Sequence, residues 1–410
     1  MNGFDYRGGV LHAENVPLSA IADAVGTPVH VYSAGALRHA ATGFKAALGH
    51  LPSPRFAFAV KANPNSAVLR LLADAGYGAD IVSSGELRRA LAAGIAPAGI
   101  VFSGVGKTDR EIGDALDAGI GQFNLELEEE GRVLASLARD RGIRAPAVLR
   151  VNPDIDGGTH AKISTGRREN KFGVAIADAP DMYDRLARLE GMDLRGIALH
   201  IGSQLGDLGP LEAAYRRVGA LVFELRRRGH GITRVDLGGG LGIPYRSDDA
   251  MPSFDEYGAM VTRATDGWNV GLTFEPGRVI AGPAGVLLTR VIWVKPGATY
   301  PFVIVDAAMN DLARPALYDA YHRFAAVMPS GETMTANIAG PVCETGDVFG
   351  MARTIDRVER GDLAVLETTG AYGAAMASTY NCRPLSPQIL VDGDSFTVVG
   401  DRIMPAEFAA

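Results

Sequence analysis

Cysteine is nearly absent from this chain of 410 residues: Cys343 and Cys382 are the only two, and no Cys-x-x-Cys pair exists. Two cysteines cannot build a disulfide scaffold or a thiolate zinc site, so a reducing compartment is expected. The eight histidines include no His-Glu-x-x-His or other close pair, so no metal is expected. No stretch approaches about 18 uncharged apolar residues, which argues against a spanning helix and a membrane partner. The opening MNGFDYRGGVLHAENV contains Asp5 and lacks an apolar run of about 7 to 15 residues, so it does not read as a secretory signal. The cytoplasm is the expected location. Basic charge is also short, with 40 Lys and Arg against 47 Asp and Glu for a net −7, which disfavours a nucleic-acid partner.

What is present is a recurring pattern. Short apolar or β-branched runs read FAFAVK from Phe56, YGADIV from Tyr77, GIVFSG from Gly99, GQFNLE from Gly121, AVLRVN from Ala147, GIALHI from Gly196, RVDLGGG from Arg234 and GLTFEP from Gly271. Each precedes a stretch with helical spacing, and segments such as SAVLRLLADAG and SGELRRALAAG open on Ser and close on Gly, as capped helices do. Eight βα units over about 220 residues predict an α/β fold with a closed parallel (β/α)8 TIM-like barrel, and a doubly wound open sheet is the competing arrangement. Barrel active sites lie at the carboxyl ends of the strands. Lys61, Asp80, Ser103, Asn152, His200, Gly238 to Gly240 and Glu275 all fall at or just after such ends.

After Glu275 the texture becomes β-rich, as in VLLTRVIWVK, YPFVIVDA and FTVVGDRI, which predicts a second, mainly antiparallel domain. The expected division is a barrel over residues 31–276 and a β domain over 277–410, to which residues 1–30 add a strand around VHVYS. The polar, glycine-rich insertion from Asp154 to Gly173 suits a mobile active-site loop.

VFSGVGKT, Val101 to Thr108, has the outline of a phosphate-binding P-loop but carries Val101 where the first glycine belongs, so it reads as a βα turn with a solvated Lys107. Glu128 to Glu130 and Arg226 to Arg228 read as solvated helix faces. The glycines at 238, 239, 240 and 242 can expose backbone N–H groups to a phosphate, though such runs also occur in plain turns. Lys61 ends an apolar strand, where partial desolvation permits Schiff-base chemistry. His200 ends ALHIGSQ, and EPGR places Glu275 and Arg278 after the last barrel strand. A phosphate cradle, a strand-end lysine, a carboxylate and a ring that can stack are the parts a pyridoxal phosphate site needs.

Seven segments, AVKANPN, HIGSQ, DLGGGLG, EPGR, RPALYDAYH, GPVCETGD and GAYGAAMASTYN, occur in an order that resembles the diaminopimelate decarboxylases, within the ornithine, diaminopimelate and arginine decarboxylase family. The resemblance runs from about Gly26 to about Asp392 and implies an alanine-racemase-type barrel, pyridoxal 5'-phosphate as cofactor, and decarboxylation of meso-2,6-diaminopimelate to lysine. It implies that Lys61 forms the aldimine, His200 stacks on the cofactor ring, and Glu275 keeps the pyridine nitrogen protonated. Gly238, Gly239, Gly240, Arg278 and Tyr372 would hold the phosphate, with Asp80, Ser203 and Gly277 also at the cofactor. Arg278, Arg314, Tyr318 and Tyr372 would contact the substrate, the first three through its distal carboxylate, and Glu344 would take its distal amino group. Cys343 would donate a proton from the neighbouring subunit of a homodimer. Many members of the family carry a histidine where this chain has Ala198. The alternatives are a decarboxylase of ornithine, arginine or a carboxylated polyamine, a non-catalytic pyridoxal-phosphate carrier and, last, a P-loop nucleotide binder.

Overall fold

The computed structural model describes residues 3–158, 165–166 and 169–404. The chain forms two compact units, one of residues 41–242 and 250–277, the other of residues 1–40, 243–249 and 278–410. In the second unit β1 (Phe4–Arg7), β2 (Val10–Ala13) and β3 (Val16–Pro17) make a small antiparallel sheet, and β4 (Val29–Ser33) enters a larger one.

The other unit is the barrel. Its strands are β5 (Arg55–Ala59), β6 (Gly78–Ile81), β7 (Ile100–Phe102), β8 (Gln122–Leu125) and β9 (Ala145–Asn152). After the short β10 (Val174–Ala175), which pairs only with β9, come β11 (Met192–Leu199), β12 (Arg234–Asp236) and β13 (Gly271–Phe274). Every neighbouring pair is parallel, and β13 pairs with β5, which closes the ring of eight. The closed barrel is thus the observed arrangement, not the open sheet, and each of the eight predicted runs supplies one strand.

Local sequence explains the alternation. The helices Ser66–Asp74 and Ser84–Ala92 are capped one residue earlier than their leading serines suggest, by the side chains of Asn65 and Ser83. Thr108 with Glu111, and Ser253 with Glu256, form reciprocal capping boxes. Aromatic packing ties helices to the ring: Phe44, on the helix Ala34–Leu48, meets Phe56 of β5 and Phe274 of β13 edge-on with centroids 6.1 and 6.3 Å apart, and Phe254 of the helix Phe254–Ala264 packs on Phe44 at 5.4 Å. Where strands approach most closely, only hydrogen fits. A Cβ on Gly196 would lie 1.7 Å from the Arg234 carbonyl oxygen.

The β unit continues with β14 (Gly285–Lys295), β15 (Phe302–Val305), β16 (Phe324–Ala326), β17 (Thr333–Ala339), β18 (Val348–Asp356), β19 (Leu363–Leu366), β20 (Gln388–Asp392) and β21 (Ser395–Gly400). Pairing is mainly antiparallel, and β4 lies between β14 and β20. Residues 31–40, assigned to the barrel from sequence, cluster here because β4 is hydrogen-bonded into this sheet. Residues 243–249 do so because Tyr245 packs against Arg314 and His322. Of the expected loop over 154–173, residues 159–164, 167 and 168 lie outside the described residues.

Three charge assignments change. Lys107 is not solvated: its side chain is 1% exposed, and its Nζ donates to Glu130 at 2.6 Å and to the carbonyls of Gly104 and Asn124. Glu130, one of the three consecutive glutamates, is its buried partner. Arg226 likewise folds back to donate to the carbonyls of Trp268, Ile232 and Asn269. Lys107→Met should therefore leave a buried carboxylate unpaired and cost about 3–5 kcal/mol of stability. Denaturant unfolding checks this, and a loss under about 1 kcal/mol would mean that the pair is effectively solvated.

Candidate active site

The barrel brings the predicted strand-end residues onto one rim. Lys61 sits in the single turn Val60–Ala62 that follows β5, with its side chain 41% exposed and its Nζ 2.5 Å from Asp80 Oδ2. Asp80, on β6, is fully buried, and its Oδ1 has no hydrogen-bond partner among the described residues. A carboxylate thus steadies the amine at the mouth and keeps one oxygen in reserve.

His200 follows β11. The N–H of Gly239 donates to its Nδ1 at 3.3 Å, which assigns the ring proton to Nε2. Burial, then the positive charges of Arg150 and Lys61, push its pKa down to about 3. The imidazole is a neutral flat ring at any physiological pH. Ala198, two residues before it, is a buried strand residue of β11.

The glycine loop leaves β12. Gly238 and Gly240 adopt φ of 66° and 115°, and a Cβ on Gly239 would lie 2.3 Å from the Glu275 carbonyl oxygen. Side chains are excluded for steric and conformational reasons together. Ser203 lies on the segment after His200. Gly277, after Pro276, packs tightly, since a Cβ there would meet those of Ala59 and Ala62 at 3.0 and 3.1 Å.

Glu275, just after β13, accepts long hydrogen bonds from Asn124 Nδ2 at 3.4 Å and Ser103 Oγ at 3.5 Å. Burial, then the neighbouring Asp236 and Asp80 carboxylates, hold its carboxyl well above the usual range. Sequence reasoning did not single out Asp236, Gln122, Asn124, Arg150 or Glu126. All five are buried polar residues at or near barrel strand ends. Gln122 donates to Asp236 and Asn124 at 2.8 Å each, and Arg150 donates to Glu126 at 2.6 Å. The available signal was a polar residue on an otherwise apolar strand, above all the aspartate immediately before the glycine loop.

The β unit carries a second constellation. Arg278 donates to the Tyr245 hydroxyl at 2.7 Å, and its guanidinium lies 4.8 Å from the centroid of Tyr372. Arg314, 6% exposed, opens the short helix Arg314–Tyr318. It donates to His322 Nε2 at 2.9 Å and lies 4.8 Å from the Tyr245 ring. His322 holds its own Nδ1 proton on the Glu367 carbonyl and, with its pKa pushed down to about 3 by burial and then Arg314, gives Arg314 a neutral partner. Cys343 and Glu344 are exposed on the loop between β17 and β18. Asp347 anchors that loop by accepting the N–H groups of Met309 at 2.6 Å and Val342 at 2.7 Å.

The donor set on the barrel rim fits pyridoxal phosphate. It combines a primary amine for the carbonyl, a neutral ring, a glycine loop at a strand end, and a carboxyl with high proton affinity for a ring nitrogen.

Comparison with known proteins points the same way. Residues 37–282 match the family model described as the pyridoxal-dependent decarboxylase, pyridoxal binding domain. The chain is 50% identical over 402 residues to the diaminopimelate decarboxylase of Zymomonas mobilis, covering 97% of this chain and 96% of that protein. It superposes on the M. jannaschii diaminopimelate decarboxylase in complex with L-lysine with a TM-score of 0.95 at 34% identity, covering 100% and 97% of the two chains. For the Helicobacter pylori diaminopimelate decarboxylase, also complexed with L-lysine, the TM-score is 0.92 at 37% identity, with 95% and 98% covered.

The neutral His200 has a measurable consequence. Its folded pKa lies below the unfolded imidazole value of about 6.5, so at lower pH the unfolded chain binds a proton that the folded chain refuses. This contribution is present above pH 6.5 and falls by about 2 kcal/mol between there and pH 5. In the cofactor-free protein, His200→Phe should lose that much less stability than wild type between pH 7 and pH 5. Paired unfolding curves with equal losses would show that the ring protonates in place.

Proposed function

The chain belongs to the pyridoxal-dependent decarboxylases, among those named diaminopimelate decarboxylase, and on that premise we propose that it converts meso-2,6-diaminopimelate to L-lysine and carbon dioxide, the last step of lysine biosynthesis. The observation that carries the proposal is the barrel rim, where an amine held by Asp80 shares the strand ends with a neutral imidazole and a carboxyl of high proton affinity.

Pyridoxal phosphate, when bound, supplies the sink for the electron pair released as the Cα–CO2 bond breaks. The side chains do the rest. Lys61 holds the cofactor covalently through its Nζ, and His200 covers the ring face without adding charge. Glu275 keeps the ring nitrogen protonated. Gly238, Gly239, Gly240, Arg278 and Tyr372 take the phosphate, and Asp80, Ser203 and Gly277 complete the cofactor pocket.

A substrate with two amino-acid ends needs a clamp for the end that does not react. Arg278, Arg314 and Tyr318 bind the distal carboxylate, Tyr372 also contacts the substrate, and Glu344 binds the distal ammonium. Arg314 supports this choice, because it is buried and its contacts, His322 and Tyr245, leave its charge unneutralised. Ornithine and arginine have no distal carboxylate to meet it. Cys343 delivers a proton to the product carbon from the neighbouring subunit of a homodimer, for which an exposed thiol on a projecting loop is suited. The reaction runs in the cytoplasm, where two free cysteines stay reduced.

The test is incubation with meso-diaminopimelate, with and without pyridoxal phosphate, followed by chromatography. Cofactor-dependent lysine is expected, and its absence would overturn the proposal. Arg314→Ala should weaken substrate binding by roughly 10- to 150-fold, the equivalent of about 1.5–3 kcal/mol for a charge-assisted hydrogen bond, while cofactor affinity stays near wild type. A variant that loses the cofactor but binds substrate normally would remove Arg314 from the clamp.

A further inference from the structure

Among the described residues, Asp236 is a buried titratable side chain on the rim to which the proposed function gives no task. Asp236 ends β12 with no exposed surface. Its Oδ1 accepts the N–H of Gly238 at 3.0 Å, and its Oδ2 accepts Gln122 Nε2 at 2.8 Å. β12 pairs with β13, and the Glu275 N–H donates to the Gly238 carbonyl at 2.8 Å, which brings the two carboxyls within hydrogen-bonding reach. Two ionised carboxylates are both acceptors, so a hydrogen bond between them requires a proton.

Geometry decides which carboxyl bears it. Asp236 already accepts two well-formed N–H bonds, an environment that favours its anion. Among the described residues, the Glu275 carboxyl accepts N–H or O–H bonds only from Asn124 and Ser103, both long. The proton therefore sits on Glu275, and Asp236 is its acceptor. Burial pushes both carboxyls up, which favours one shared proton over two anions. The other charged groups acting on the pair are Asp80, Lys61, Arg150 and, towards Asp236, Arg234, with the Tyr215 and Tyr257 hydroxyls and neutral His200 nearby. Lys61 is paired to Asp80 at 2.5 Å and Arg150 to Glu126 at 2.6 Å, so these two cations are engaged by other carboxylates.

We propose that Asp236 is a positioning residue for cofactor protonation: it accepts the O–H of Glu275, retains that proton in the site, and so presents Glu275 to the ring nitrogen as an acid. With the cofactor bound, Glu275 would hold that proton at the ring nitrogen and Asp236 would remain an anion behind it, so that no further proton would be needed. This rests on the role given to Glu275 above and adds a second negative charge that favours the protonated nitrogen.

The test uses wild type and Asp236→Asn loaded with pyridoxal phosphate carrying nitrogen-15 in its ring. Nuclear magnetic resonance across the pH range reports the protonation of that nitrogen directly. Wild type should keep it protonated, whereas Asp236→Asn should lose the proton about one to two pH units lower, with kcat reduced about 10- to 100-fold and KM changed less than about threefold. Visible absorbance verifies that the variant still binds the cofactor. An unchanged nitrogen titration in that variant overturns the proposal.

A second measurement does not depend on the variant folding. Infrared difference spectra of the cofactor-free protein at neutral pH should contain the C=O stretch of a protonated carboxyl in wild type and lack it in Glu275→Gln. Absence of the band from wild type overturns the proposal as well. Neither readout involves substrate, so a protein that binds the cofactor yet makes no lysine would defeat the functional proposal alone.

Discussion

The site depends on the closure of β13 against β5. A parallel barrel whose ends meet sends every strand's carboxyl terminus to the same rim, so residues as far apart as Lys61 and Glu275 share one small volume. Closure also gives the interior a fixed polar arrangement. Asp80, Gln122, Asn124, Arg150 and Asp236 would each be costly alone on an apolar strand, and the ring supplies partners for them. An open sheet would leave β5 and β13 as separate edges and the amine far from the carboxyl.

The polar interior in turn sets charge. Two buried carboxyls on adjacent strands cannot both ionise cheaply, and burial raises the proton affinity of each, which is the property the proposed role of Glu275 draws on. The same burial keeps His200 neutral, and Gly239 fixes its tautomer. Chemistry at this rim is thus a consequence of strand order and desolvation more than of any single reactive side chain.

Much of this was legible in the sequence, for identifiable reasons. The eight strands were readable because each is a short apolar run bounded by turn residues, and Lys61, His200 and Glu275 stood out as polar groups that end such runs. Asp236 did not, because nothing in RVDLGGG sets it apart from a loop-flanking polar residue, and only the pairing of β12 with β13 places it beside Glu275. Lys107 and Glu130 were misread because a pair 23 residues apart, one in a loop and one in a helix, carries no local mark of burial. The unit boundary moved from residue 31 to residue 41 because strand pairing, not strand composition, decides that β4 belongs with β14 and β20. The loop with Cys343 and Glu344 shows the opposite limit, since exposure says nothing about chemistry until a resemblance assigns it.

The central claim is that the amine at the end of β5 is the point where cofactor and protein join. Borohydride reduction of the cofactor-loaded protein, followed by proteolysis and peptide mapping, tests it most directly. The account predicts a single labelled peptide carrying the modification on Lys61. A label on Lys107, Lys45 or any other lysine, or a protein that binds the cofactor without forming a reducible bond, would contradict it.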